Sequence, residues 1–130
     1  MIDELPMLPW VAAVAAGGAV GGLLRHGVYL AIEHRRVPDF PISSLTVNLI
    51  GSLLIGLLVG LGRRDLLDAF WMVLLVGGAC GAFTTFSSFA SGWLRLHRQG
   101  RRGAGALYVI VTVVAGIGLA FVGMSLAGAT

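Results

Sequence analysis

The sequence has no lysine and a single cysteine, and only 12% of its 130 residues are charged. A soluble domain of this size carries about 25% charged residues, so an ordinary soluble globular domain is excluded. Disorder is excluded too, because 57% of the residues are hydrophobic and disorder needs low hydrophobicity with high charge. One cysteine, Cys80, allows neither an intramolecular disulfide nor a cysteine-built metal site. No carboxylate lies inside an apolar run: Asp3, Glu4, Glu33, Asp39, Asp65 and Asp68 all flank such runs. That absence argues against a proton-coupled antiporter, which uses a carboxylate within the membrane. It also removes the paired carboxylates of a hydrolase. Gly51-Ser52 and Ser87-Ser88 lack a nucleophile-elbow context, so the chain reads as no enzyme.

What is present is a set of long uncharged runs, Leu8–Leu24, Phe40–Gly62, Ala69–Leu94 and Gly103–Thr130. A membrane-crossing helix needs roughly 20 apolar residues. The last three runs meet this directly, and the first does so by continuing through Arg25 and His26 to Ile32. Backbone groups in lipid must be satisfied internally, so the runs predict helices. The expected fold is an all-α membrane protein of one domain, spanning residues 1–130, with transmembrane helices over about 8–32, 40–62, 69–94 and 103–128. Alternating segments of β-barrel length are not visible. Asp3 and Glu4, with no early arginine, argue against a cleaved signal peptide. Short loops, Glu33–Asp39, Arg63–Asp68 and Arg95–Arg102, predict an antiparallel bundle. Small residues four apart, as in Gly17/Gly21, Gly18/Gly22, Ser52/Gly56/Gly60 and Gly77/Gly81, predict close helix approach. Helices this short and this few are a poor wall for a pore, which implies oligomerisation.

All nine basic residues are arginine. They punctuate apolar runs instead of forming a basic face, so no nucleic-acid partner is expected. Loops one and three share a side and carry Arg35, Arg36, Arg95, Arg98, Arg101 and Arg102; the other side has Arg63 and Arg64. Positive charge stays cytoplasmic. Loops one and three are therefore expected inside and both termini outside.

Four polar features stand out. Arg25 closes Gly21-Gly22-Leu23-Leu24-Arg25; it is either a snorkelling arginine or a cation at the mouth of an anion pathway. Asn48 follows Ser44 by one helical turn. Its amide donors suit a dehydrated anion, and an interhelical hydrogen bond would use them equally. The run Gly77-Gly78-Ala79-Cys80-Gly81-Ala82-Phe83-Thr84-Thr85-Phe86-Ser87-Ser88-Phe89 is poor helix material. It predicts a broken third helix, with backbone freed at mid-membrane where it can line a cavity. Phe86 and Phe89 share a face there, and their positive ring edges could line an anion path or simply pack. Tyr108 and Thr112 put hydroxyls one turn apart in the fourth run, along a polar track or against a neighbouring helix.

These residues give the chain its resemblance to the small fluoride channels called Fluc or CrcB. The resemblance rests on Gly-Gly-x-x-Gly-x-x-x-Arg across Gly17–Arg25, on Leu-x-Val-Asn at Leu45–Asn48 followed by Gly51, and on Gly-x-x-Thr-Thr-Phe-Ser-x-Phe at Gly81–Phe89. Motif order, length and four spans agree along essentially the whole chain. The resemblance implies an antiparallel (inverted) dimer with two fluoride pores, multi-pass in the inner (plasma) membrane, and a structural sodium ion at its centre. The sodium would be held by the backbone carbonyls of Gly81 and Thr84. Pore groups would be Asn48, Phe86, Phe89, Ser44, Tyr108 and Thr112, with Ser87 and Ser88 in the hydroxyl-rich pattern and Arg25 in the vestibule. The function implied is passive export of fluoride from the cytoplasm, which relieves its toxicity. Two positions differ from the common family pattern: Ala90-Ser91-Gly92 follows Phe89 where many members carry a glutamate, and Ser43-Ser44 stands where many have Gly-Thr. A small proton-coupled antiporter and a non-conducting subunit of a heterodimer are the competing readings.

The six-to-two arginine bias predicts one fixed orientation, and hence pairing with an oppositely oriented paralogue rather than with itself. A topology reporter fused to the chain is expected to find all molecules one way round; equal populations in both orientations would overturn this.

Overall fold

The computed structural model describes residues 7–33 and 40–128. Arg35, Arg36 and most of the first predicted loop lie outside the described residues, as do Asp3 and Glu4. Among the described residues, four helical stretches are long and apolar enough to cross a membrane: Leu8–Ile32, Ile42–Arg63, Ala69–Arg98 and Arg102–Leu126. The first is α1 (Leu8–Glu33) and the second α2 (Ile42–Arg63). The third is composite. It runs from α3 (Ala69–Met72) through a π-helical stretch (Val73–Cys80) and α4 (Gly81–Phe83) to α5 (Phe86–Arg98). The fourth is α6 (Arg102–Leu126).

The element ends follow local chemistry. Helix α2 starts at Ile42 and not at Phe40, because Pro41 supplies the N-cap position and has no N–H to lose. Asp65 adopts φ 56° in the second loop, a left-handed conformation that aspartate tolerates. Asp68 then caps α3, its Oδ1 accepting from the Trp71 N–H at 3.1 Å. The third loop is shorter than Arg95–Arg102. Helix α5 continues to Arg98, with Arg95, His97 and Arg98 in its last turn, where basic groups complement the negative end of the helix dipole. The chain then reverses at Gly100, whose φ of 74° is the left-handed position a glycine takes at a helix end. Helix α6 ends at Leu126, and the Arg64 guanidinium donates to the Ala127 carbonyl at 2.8 Å, tying the second loop to that end.

Lipid provides little hydrophobic drive between helices, so close packing of small residues has to supply it. Helix α1 lies along the π-helical stretch: a side chain at Gly17 would strike the Leu74 carbonyl, and one at Gly21 the Ala79 carbonyl. Helix α2 lies along α6 in the same way, Gly56 facing the Ala120 carbonyl and Gly123 facing the Leu53 carbonyl. The predicted small-residue spacing is therefore used at Gly17/Gly21 and Gly56/Gly60. At Gly22 and Gly77 a side chain would meet nothing within 4 Å among the described residues. Large side chains point outward: Leu23 is 73% and Val114 64% exposed, as befits a surface solvated by lipid.

Gly123→Ala is expected to lower stability by about 1–3 kcal/mol, the usual cost of overpacking, because the new methyl meets the α2 backbone. Gly118→Ala on the same helix, with nothing within 4 Å, is expected to leave it unchanged. Thermal melting of the two variants in detergent checks the difference.

Candidate functional site

Between α4 and α5 the helical dihedrals stop for two residues. Thr84 lies at φ −79°, ψ 160° and Thr85 at φ −150°, ψ 116°, both extended. Two adjacent β-branched residues favour that conformation. In a membrane its cost is the backbone groups it releases. Most of them find partners. The Thr84 N–H donates to the Cys80 carbonyl at 3.0 Å, and the Thr84 hydroxyl donates to the same oxygen at 3.0 Å. The Thr85 N–H donates to Asn48 Oδ1 at 2.8 Å, while Asn48 Nδ2 donates to the Thr85 carbonyl at 3.1 Å. Asn48 thus holds Thr85 by both backbone groups, as a neighbouring strand would. Thr85 Oγ1 in turn caps α5, accepting from the Ser88 N–H at 3.2 Å, with the Ser88 hydroxyl 3.3 Å away.

Glycine 51 explains how α2 comes close enough. A Cβ there would overlap Thr84 Cγ2. Asn48 and Gly51, one turn apart, act as a clamp and a notch for the extended pair.

A second cluster lies beside the first. Tyr108 of α6 is fully buried, and its hydroxyl donates to Ser44 Oγ at 3.0 Å. The Thr112 hydroxyl donates to the Tyr108 carbonyl at 2.7 Å, so it is engaged within its own helix. Phe89 lies 5.4 Å from Tyr108, ring centre to ring centre, and Phe86 lies 5.8 Å from Phe89. Phe40 sets its ring edge-on to Tyr108 at 5.7 Å. The aromatic line runs from buried Tyr108 out to Phe86, which is 80% exposed.

A cleft of about 480 Å³ opens on the other side of Thr85. Arg25, His26 and Tyr29 of α1 face Thr85, Ser87 and Ser88 across it. A guanidinium and the N-terminal turn of α5 share this space, and both favour an anion. Gly81 is exposed, with only the Val76 carbonyl near its missing side chain, at 3.7 Å.

The structure thus joins Asn48 to Thr85, Ser44 to Tyr108 and Phe89 to both Phe86 and Tyr108; it sets Arg25 in one cleft with Ser87 and Ser88, while the Thr112 hydroxyl stays on its own helix. Sequence reasoning missed Thr85 as the clamped residue, Phe40 as a partner of Tyr108, and His26 and Tyr29 as cleft walls. Gly22, Arg25 and Tyr29 do follow a three-four helical spacing, which is the one signal that could have found Tyr29.

The sequence pattern described as CrcB-like protein, Camphor Resistance (CrcB), matches residues 12–124. The chain belongs to the CrcB family. A fluoride-specific ion channel of Agrobacterium fabrum is 42% identical over 117 residues, covering 89% of this chain and 94% of the relative. A fluoride-specific ion channel of Thermus thermophilus is 40% identical over 116 residues, 89% and 93% of the two chains. One from Methylobacterium nodulans is 44% identical over 115 residues, 88% and 90%. These CrcB relatives are ion channels and not enzymes, and the four spanning helices make this chain a multi-pass membrane protein.

Asn48→Ala strips Thr85 of both partners and is expected to cost about 1–3 kcal/mol for buried groups left unpaired. Tyr108→Phe removes one hydrogen bond and is expected to cost about 0.5–1.5 kcal/mol. Melting temperatures in detergent, ranked Asn48→Ala below Tyr108→Phe below the parent, check this order.

Proposed function

We infer that this chain is a fluoride channel that lets fluoride leave the cytoplasm passively and so limits its toxicity. The observation that carries the reading is the extended pair Thr84–Thr85, held by Asn48 inside a spanning helix and flanked by an anion-favouring cleft and a line of phenyl rings. The curated relatives, all named as fluoride-specific channels, support it.

Fluoride is small and strongly hydrated, so a narrow path has to replace its water with hydrogen-bond donors. Arg25, with the hydroxyls of Ser87 and Ser88, draws the anion to the mouth. Asn48 spends one N–H on Thr85, and its second N–H is a donor for the ion. Ser44 and Tyr108 form a hydroxyl pair that can turn a proton toward an anion, with Thr112 behind them. The edges of Phe86 and Phe89 supply weaker positive potential.

The Gly81 and Thr84 carbonyls fit a sodium ion in the sense that matters chemically. Neutral oxygens suit a hard cation, and at ψ 160° the Thr84 carbonyl points away from the helical direction. Bound there, sodium would supply fixed positive charge to offset desolvation of fluoride. In this reading the third spanning helix is broken at that pair, and a second, inverted subunit completes the assembly in the plasma membrane. That subunit is another copy of the chain or, as the arginine bias favours, an oppositely oriented paralogue.

Liposomes holding the purified protein are expected to release fluoride and not chloride, with Phe86→Ile abolishing release; rapid release by the chain alone would assign the homodimer and overturn the fixed orientation that the arginine bias predicts. A folded sample that is silent alone but active when co-expressed with an oppositely oriented paralogue would assign the heterodimer. Release that occurs only under a proton gradient would overturn the channel.

A further inference from the structure

The cleft wall contains a tyrosine that the proposed pathway does not use. Tyr29 of α1 lines the cleft together with Arg25, four residues earlier and therefore one turn away on the same helix. Its hydroxyl oxygen is buried and has no hydrogen-bond partner among the described residues. A buried hydroxyl without a partner carries a desolvation cost, so an unpaired one beside a polar cleft points to a ligand that completes it.

The surroundings specify the ligand's charge. Across the cleft stand Thr85, Ser87 and Ser88, the cap and first turn of α5. Thr85 Oγ1 takes the Ser88 amide, while the Phe86 and Ser87 amides have no acceptor among the described residues. Free amides at the start of a 13-residue helix, a guanidinium and a phenol are all donors. Among the described residues no carboxylate lines the cleft. Such a set accepts an anion and rejects a cation.

We propose that the Tyr29 hydroxyl is a specificity-determining donor for fluoride in this cleft, acting with the charge of Arg25 at the mouth of the path. This rests on the fluoride-channel reading above. A tyrosine suits the task because it donates through a rigid two-torsion side chain, so little conformational freedom is lost when the anion arrives. The guanidinium attracts any anion by charge. The phenol adds a short directional bond, which favours a small anion of high charge density over a larger one such as chloride.

The test reads binding and conduction separately. Purified parent protein and Tyr29→Phe are melted in detergent across a series of sodium fluoride concentrations, with sodium chloride as the matched control, and fluoride release from liposomes is measured in parallel. Stabilisation by a ligand rises with its concentration relative to its dissociation constant. The parent is expected to gain melting temperature with fluoride and not with chloride. Tyr29→Phe is expected to melt at or above the parent without fluoride, since it removes an unpaired buried hydroxyl, and to need about tenfold more fluoride for the same gain, as losing a hydrogen bond to a charged group implies. Identical fluoride curves for the two proteins would overturn the proposal while leaving the channel intact. Loss of stability in Tyr29→Phe without fluoride, with an unshifted fluoride curve, would overturn it in favour of a packing role. A parent that gains nothing from fluoride would overturn it as well. A shifted curve in a protein that releases no fluoride, either alone or co-expressed with an oppositely oriented paralogue, would uphold Tyr29 as an anion ligand and overturn the channel.

Discussion

The rest of the structure depends on how Thr85 satisfies its backbone. Two consecutive extended residues inside a spanning helix release groups that hydrocarbon cannot solvate, at several kcal/mol each. Asn48 answers with a donor and an acceptor on one side chain, bonded to the Thr85 carbonyl and N–H. Asparagine is well matched to this, because its amide copies the peptide group it faces. The clamp fixes the depth of α2 against the third span, and Gly51 gives it room. Once Thr85 is held, its hydroxyl is free to cap α5, and α5 then starts where its first turn faces the cleft.

That clamp also explains why the two polar clusters sit back to back. Ser44 lies one turn before Asn48 on α2 and meets Tyr108 of α6. Ser87 and Ser88 lie just after Thr85 and meet Arg25 across the cleft. The same short stretch of extended chain therefore stands between a buried hydroxyl pair and an open anion-favouring space. Phe89 packs on Tyr108, and Phe86 extends the ring line to the outside of the chain. That ring is 80% exposed.

Glycine does in this chain what apolar burial does in a soluble one. The contacts of α1 with the π-helical stretch, and of α2 with α6, are made at Gly17, Gly21, Gly56 and Gly123, each with a carbonyl in the space of its missing side chain. Two interlocked pairs result, with α2 between them through its clamp on Thr85. Arg64 adds a polar tie at one end by reaching the Ala127 carbonyl.

Much of this was legible in the sequence. Four long uncharged runs determine four spanning helices, because a continuous apolar stretch in lipid has only one local way to pair its backbone. The Gly/Thr run marked the place where the helical dihedrals stop, since β-branched residues in succession oppose the helix. The motif residues Arg25, Asn48, Phe86 and Phe89 were visible from spacing and resemblance. Element ends were less so: α5 outlasts its apolar run because Arg95, His97 and Arg98 stabilise the helix terminus through the dipole, a balance that hydropathy does not register. The π-helical stretch over Val73–Cys80 was not read from the sequence; α1 packs closely against it at Gly17 and Gly21. Whether Asn48 was a lone donor or an interhelical tie was equally open, because both uses need the same amide. Only the tertiary structure decided it, by setting an extended threonine opposite, and only it brought Tyr29, whose hydroxyl has no partner among the described residues, to the wall of the cleft. Composition and periodicity determine which segments enter the membrane; which polar groups meet inside it depends on helix depth and rotation, and those are set by contacts between residues far apart in the chain.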